Sequence, residues 1–261
     1  MKDTCKILVL SDLNKSASKT LKSAVTLAKI MDAKIDFFYV KKPTEVVEKD
    51  SQLSAIRIIN KAYITIDKEI KKIITPISDD YNTTIKHSFT IGNVKSEIAE
   101  YIDKNKPDVI VLGKQKAAVF PFLGDNITQF VLEKHKGTIV IADDQNSLEP
   151  NKELALGLFQ NINSAGILVE NMIKAAQKPL TYFKTTEKDT NSKKNPFLEA
   201  QNKIEYVFEQ GDNTIKNISN YLSKKKINVL FVSREKSNSA AMKTSIKSII
   251  KSINCALILT N

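Results

Sequence analysis

Residues 89–113 read FTIGNVKSEIAEYIDKNKPDVIVLG, and residues 208–233 read FEQGDNTIKNISNYLSKKKINVLFVS. The first stretch runs from a short strand through Gly92-Asn93 into a helix carrying Val94, Ile98, Tyr101 and Ile102. It ends in the continuous apolar run Val109-Ile110-Val111-Leu112. A strand that is apolar at every position must be buried on both faces, the condition of a parallel sheet covered by helices. The second stretch repeats the arrangement. At an offset of 119, Phe89 matches Phe208 and Gly92 matches Gly211. After one inserted residue the offset is 120, and Ile98, Tyr101, Lys104, Lys106 and Val109 match Ile218, Tyr221, Lys224, Lys226 and Val229. Identities that hold register through strand, turn, helix and next strand mark an internal repeat.

Outward from this unit the alternation continues. Ile7-Leu8-Val9-Leu10 reads as a buried strand, followed by Leu21, Ala24, Val25, Ala28 and Met31 at helical spacing and a second strand at residues 35–40. A long helix fits residues 51–75, with Ile56, Ile59, Tyr63, Ile66, Ile70 and Ile73 along one stripe, and a third strand fits about 84–91. A helix near 126–135 and a strand from Thr138 to Ala142 complete the first copy. The second copy reads as strands at 153–158, 179–183, 203–209, 228–233 and 255–260, with helices at 162–176, 213–225 and 240–252. It shows no counterpart of the long helix; residues 184–202, rich in Lys, Thr, Asn and Ser, read as a mobile polar loop. The fold class is therefore α/β, with two doubly wound parallel-sheet halves linked by right-handed crossovers. Their expected bounds are residues 1–143 and 152–261, and residues 143–151 have linker composition.

Composition narrows the function classes. The chain has 261 residues, 42 % of them hydrophobic and 26 % charged, which excludes a collagenous, disulfide-scaffold or wholly disordered chain. The net charge of +11 comes from Lys: only Arg57 and Arg234 are arginines among 40 basic residues. Lysines spread along a chain read as solvated surface, because phosphate and base recognition favours the arginine fork, so a nucleic-acid partner is not expected. Cys5 and Cys255 each open an apolar run and share no metal-like spacing with His87 and His135, so both read as buried and reduced. No apolar run approaches the roughly 18 residues that cross a bilayer, and the segment before Ile7 is too short for a signal peptide. The expectation is a cytoplasmic protein without a membrane partner. Neither histidine stands at a spacing that makes a nucleophilic triad with Ser11 and Asp12, so no catalytic residue is assigned.

In open parallel sheets, ligands bind beyond the carboxyl ends of the strands where the winding reverses. Those ends are Ser11-Asp12-Leu13-Asn14-Lys15-Ser16 after strand one and Gly113-Lys114-Gln115-Lys116 after strand four, the latter leading to Gly124-Asp125-Asn126 before a helix. Glycines ahead of a helix N-terminus can cradle phosphate with backbone N–H groups. Taken with Ile91-Gly92-Asn93, Asp108-Val109-Ile110-Val111-Leu112-Gly113 and Phe122-Leu123-Gly124-Asp125-Asn126, the chain resembles the universal stress protein family in its tandem form over essentially its whole length. The resemblance implies Rossmann-like halves of strand order 3-2-1-4-5, packed as an internal pseudo-dimer, and an adenine nucleotide such as ATP or AMP in the first half. In nucleotide-binding members the pattern is glycine, two residues, glycine, nine residues, glycine, then Ser or Thr. Matched onto it, Gly113 and Gly124 take the first and third glycine places, Asp12 the acidic place after strand one, and Val40 the place of a backbone contact to adenine.

The departures from that pattern carry their own chemistry. Lys116 occupies the middle glycine place, the stretch to Gly124 is two residues shorter than the pattern, and Asp125 stands where Ser or Thr would donate to phosphate. A carboxylate at that place repels phosphate, unless Lys114 and Lys116 compensate; Asp125 or Asn126 equally reads as a helix cap. In the second half Ser233 stands for Gly113, Leu158 for Asp12, and no glycine follows Ser233. Three readings stay open: a regulatory stress-response module sensing an adenine nucleotide, an interaction or scaffold protein whose phosphate loop has eroded, and slow nucleotide hydrolysis, for which no general base is visible. Each half ends in an apolar strand that the family order places at the sheet edge, and an exposed apolar edge must be paired or covered. The two last strands are therefore expected side by side and antiparallel. A homodimer of the whole chain and the identity of any protein partner stay open.

Overall fold

A computed structural model describes residues 4–43, 52–114, 127–159, 166–186, 202–234 and 246–260. The first half comprises β1 (Lys6–Leu10), α1 (Ala17–Met31), β2 (Lys34–Lys41), α2 (Gln52–Tyr81), β3 (Ile85–Ile91), α3 (Val94–Asn105), β4 (Val109–Gly113), α4 (Ile127–Lys134) and β5 (Thr138–Ala142). The second comprises β6 (Leu156–Phe159), α5 (Ile167–Ala175), β7 (Leu180–Thr185), β8 (Lys203–Phe208), α6 (Thr214–Lys224), β9 (Val229–Ser233), α7 (Ile246–Ser252) and β10 (Ala256–Thr260).

The strands form one ten-stranded sheet in the order β3-β2-β1-β4-β5-β10-β9-β6-β7-β8. Each half is wound 3-2-1-4-5, all of its pairs parallel. The halves meet at the antiparallel pair β5–β10, with Leu257 opposite Ile141, Ile258 opposite Val140 and Leu259 opposite Ile139. All six side chains are buried. This is the pairing expected from two apolar last strands, and it removes both edges at once.

Helices cover both faces, and each face carries one continuous apolar layer. On the first, Val9, Phe37, Ile70 and Val140 belong to the same cluster as Leu158, Val169 and Ile258. On the other, Leu10, Phe38, Ile98 and Ile141 join Phe183, Ile218 and Leu257. Alternate residues of each strand feed opposite layers, as strand geometry requires. The helices α1 and α5 touch across the seam, where Asn171 lies 3.7 Å from the sulfur of Met31.

Three sequence readings are corrected by the structure. The long helix does not stop at residue 75 but runs through Pro76 to Tyr81. Pro76 gives up one backbone bond, while Ile74 and Ile77 on either side of it are buried and hold the last turns to the sheet. Phe89 and Phe208 are not equivalent: Phe89 packs in the layer with α2, Phe208 in the opposite layer. Tyr206 takes the place of Ser88, an offset of 118, whereas Asn213 takes the N-cap place of Asn93, an offset of 120, so two extra residues lie between β8 and α6, and a slip of one residue in the strand turns a side chain to the other face. Leu158 matches Val9, not Asp12, because β6 begins at Leu156 and Ala155 bonds to Asn228 and Val229 in the way Lys6 bonds to Asp108. The linker of residues 143–151 is itself packed and hydrogen-bonded. Leu148 is 1 % exposed and its N–H donates to Ser23 Oγ at 3.2 Å, and the Asp143 carboxylate accepts from the N–H groups of Gln145 and Asn146.

Both cysteines are free thiols, but only Cys255 is buried; Cys5 is half-buried, and desolvation pushes its pKa up to about 11. No described helix is long and apolar enough to cross a membrane. Most of the proposed polar loop, residues 187–201, lies outside the described residues, and with it any test of a missing long helix.

Candidate functional site

The carboxyl ends of β1, β2 and β4 border a cavity of about 340 Å³, within the range of small-molecule sites. From β1 and the turn after it come Leu10, Ser11, Asp12 and Asn14; from β2 come Phe38, Tyr39 and Val40; from β4 come Leu112, Gly113 and Lys114. Ser16 and Thr20 of the α1 entry, Lys42, Val94 and Ile98 of α3, and Ile127 and Thr128 of α4 close the rest. Four of the sequence-derived site residues, Asp12, Val40, Gly113 and Lys114, thus converge on one cavity at the switch point. Lys116, Gly124, Asp125 and Asn126 lie outside the described residues.

The turn after β1 is braced from within. The Asp12 carboxylate accepts from Asn14 Nδ2 at 2.9 Å, and Asn14 Oδ1 accepts from the N–H and hydroxyl of Ser16 at 2.7 and 2.6 Å. The Ser16 N–H bond to Asn14 is a side-chain-to-backbone turn, and the two side-chain bonds brace it just ahead of α1. Leu13, between them, has φ 58°, a left-handed backbone in a residue that disfavours it. Gly113 has a packing reason to be glycine: a Cβ there would lie 2.7 Å from Thr20 Oγ1, so its absence lets α1 close onto β4.

Lys114 does not behave as a free phosphate cation. Its ammonium donates to the Ile253 carbonyl at 2.5 Å, with Asp143 Oδ1 at 3.8 Å, so the charge is held at the seam with the second half. Neither histidine lines the cavity. His87 lies 3.0 Å from Asp67 on α2, and His135 is buried just past α4. Burial is the main cause that lowers the His135 pKa, and Arg234 adds to it. Among the described residues no group of three His, Cys, Asp or Glu could hold a metal ion.

The universal stress protein family model matches residues 5–141, just over half of the chain. The chain belongs to the universal stress protein family. A universal stress protein from Archaeoglobus fulgidus superposes with a TM-score of 0.67 at 14 % identity, covering 99 % of each chain. A functionally unknown protein from Pseudomonas aeruginosa PAO1 superposes at 0.52 and 13 % identity, covering 99 % of this chain and 92 % of that one. At such identities the likeness speaks for the fold alone, here a tandem fold with both halves in one chain. No curated protein matches the chain by sequence.

In this universal stress protein, sequence reasoning missed Thr20, Phe38 and Thr128 as cavity residues, because each lies inside an element whose pattern is already explained by packing. It also missed Arg234, which donates to the carbonyls of Leu132, His135 and Gly137 at 3.3, 3.0 and 2.5 Å. One signal was available: Arg234 is one of two arginines in a lysine-rich chain and directly follows a strand end.

Proposed function

We propose that the first half is a regulatory sensor for a ligand of the adenine nucleoside or nucleotide class, and that the second half serves as its built-in structural partner. The observation that carries this reading is the cavity at the carboxyl ends of β1, β2 and β4, bordered together by Asp12, Val40 and Gly113. Its walls suit a flat apolar base and a hydroxylated sugar: Phe38, Val40 and Ile98 offer apolar surface, and Ser11, Asn14, Ser16 and Thr128 offer polar groups. They suit a long phosphate chain less well. Asp12 adds negative charge, and Lys114, the basic residue nearest the glycine, is engaged across the seam.

The same commitment of Lys114 favours a second reading, an interaction or scaffold protein whose cavity no longer accepts phosphate. Two measurements separate them. Mass spectrometry of small molecules released by heating the purified protein should find an adenine compound if the sensor reading holds. Calorimetry should then rank adenosine or AMP above ATP with magnesium, whose dissociation constant should exceed roughly ten micromolar, about −7 kcal/mol of binding. Asp125→Ser should strengthen ATP binding several-fold by removing a carboxylate from the phosphate place. No released ligand, and no heat with any of the three, would refute the sensor and leave the scaffold.

A further inference from the structure

Lys114 and Arg234 occupy equivalent places: each follows the last residue of the fourth strand of its half, Gly113 or Ser233. Each backbone N–H bonds to the last strand of its own half, Lys114 to the Ala142 carbonyl at 2.8 Å and Arg234 to the Thr260 carbonyl at 2.6 Å. Their side chains then cross the seam in opposite directions. Lys114 reaches the Ile253 carbonyl just past α7, and Arg234 reaches the His135 carbonyl just past α4. Ile253 and His135 are themselves equivalent, each N–H closing back on the residue four earlier, Ile249 or Val131. The two contacts thus repeat one another about the pseudo-twofold relation of the halves.

We propose that Lys114 and Arg234 form a reciprocal clasp, each half supplying the cation that closes the carboxyl end of the other half's last helix, so that the cavity wall at Lys114 and α7 behave as one unit. The last carbonyls of a helix have no partner within it and carry the negative end of its dipole, so a cation there satisfies both needs. The described parts of the two helices span 8 and 7 residues, and helical segments of that length depend on contacts from outside. The clasp is unequal in chemistry. The Arg234 fork spans three carbonyls, whereas the compact Lys114 ammonium takes one and has Asp143 nearby; Asn146 adds a bond to the Asn254 carbonyl at 2.7 Å. The second half is thereby tied into the cavity of the first, whether or not it holds a ligand of its own.

Hydrogen exchange on the full chain tests the clasp through a crossed pattern. Lys114→Met keeps the aliphatic stem and removes the charge; it should speed exchange in residues 246–252 of the second half by roughly five- to tenfold, leaving residues 127–134 unchanged. Arg234→Met should do the reverse, speeding residues 127–134 in the first half. Lys114→Arg should restore protection of residues 246–252. If Arg234→Met does not fold, Arg234→Lys takes its place and should deprotect residues 127–134 to a smaller degree. Variants that deprotect only their own half, or neither helix, overturn the proposal. The measurement uses no ligand, so it stands apart from failure of the nucleotide reading.

Discussion

At matched register the first half carries Leu8, Ser88 and Thr90 where the second carries Gly157, Tyr206 and Phe208. The equivalent phenylalanines, Phe38 and Phe183, therefore live in different surroundings. Phe38 stacks on Tyr101 with ring centroids 4.1 Å apart and borders the cavity. Phe183 gathers three rings, Tyr206, Phe208 and Tyr221, at 6.3, 6.0 and 6.0 Å. Gly157 makes room for it: a Cβ there would approach the Phe183 ring and Leu230 at 3.0 Å each. A duplicated sheet can thus keep its winding while one copy fills with rings the layer that, in the other, stays open beside a cavity. Dense packing leaves little middle ground, because interiors tolerate neither voids nor overlap.

The strongest way to break this comparison is to treat the halves as separable. They share β5–β10, so a charge there should unfold both. Ile141→Lys or Leu257→Lys places an ammonium among residues that are 2 % and 1 % exposed, at a cost on the order of 4 kcal/mol or more. Urea unfolding of the variant should show one transition, or aggregation, with protection lost in both halves together. A Leu257→Lys chain that keeps native exchange protection in α1 and β2 would sink the shared-sheet account.

The next test sets the equivalent positions Leu8 and Gly157 against each other. Leu8→Ala empties a buried site and should cost roughly 2–5 kcal/mol. Gly157→Ala adds one methyl against Phe183 and Leu230 and should cost roughly 1–3 kcal/mol, although alanine suits a strand better than glycine. A stabilised Gly157→Ala chain would mean the rings around Phe183 have slack.

Strand order was legible in the sequence because every central strand is an apolar run and every crossover helix shows its stripe. Register was not. Phe89 and Phe208 align as letters yet face opposite layers, since a strand's two faces are one residue apart and Val207, on the face with Lys203 and Glu205, takes the place of Phe89. The cavity position was legible for Asp12, Val40 and Gly113, because strand ends fix it. The destination of Lys114 was not, because its acceptor is 139 residues away and depends on how the halves meet. Leu148 hid in a linker for the same reason: one apolar residue in a polar stretch gains meaning only from the surface of α1.

A smaller effect sharpens the contrast at the helix ends. His135 in the first half is matched by Ile253 in the second, a titratable group against an apolar one. His135 is 6 % exposed, and its pKa in the folded chain is lowered below the ordinary value of about 6.5, first by burial. On acidification the unfolded chain therefore takes up this proton before the folded one does. Its contribution to stability is constant above about pH 6.5 and falls below it, with a slope of at most about 1.4 kcal/mol per pH unit. His135→Gln should flatten that part of the profile, measured by urea titrations between roughly pH 5 and 8. An unchanged slope would show that another group carries it.

The smallest expected effect lies at Leu13, and it concerns the order of two variants. Leu13 is partly buried against the first-half core, so shortening it loses packing in either variant. Its backbone, at φ 58°, is costly for any residue with a Cβ and free for glycine. Alanine at position 13 therefore keeps the strain and loses the contact, whereas glycine loses the contact and relieves the strain. Part of that relief is offset because glycine also loosens the unfolded chain. Leu13→Gly should thus be more stable than Leu13→Ala by about 0.5–1 kcal/mol, the reverse of their usual order in a structured segment. If alanine proves the more stable, the turn adapts without strain, and Asp12 and Asn14 do not hold it in the left-handed form. If glycine wins, the left-handed backbone at position 13 carries strain that the polar bonds of Asp12 and Asn14 hold in place beside the cavity.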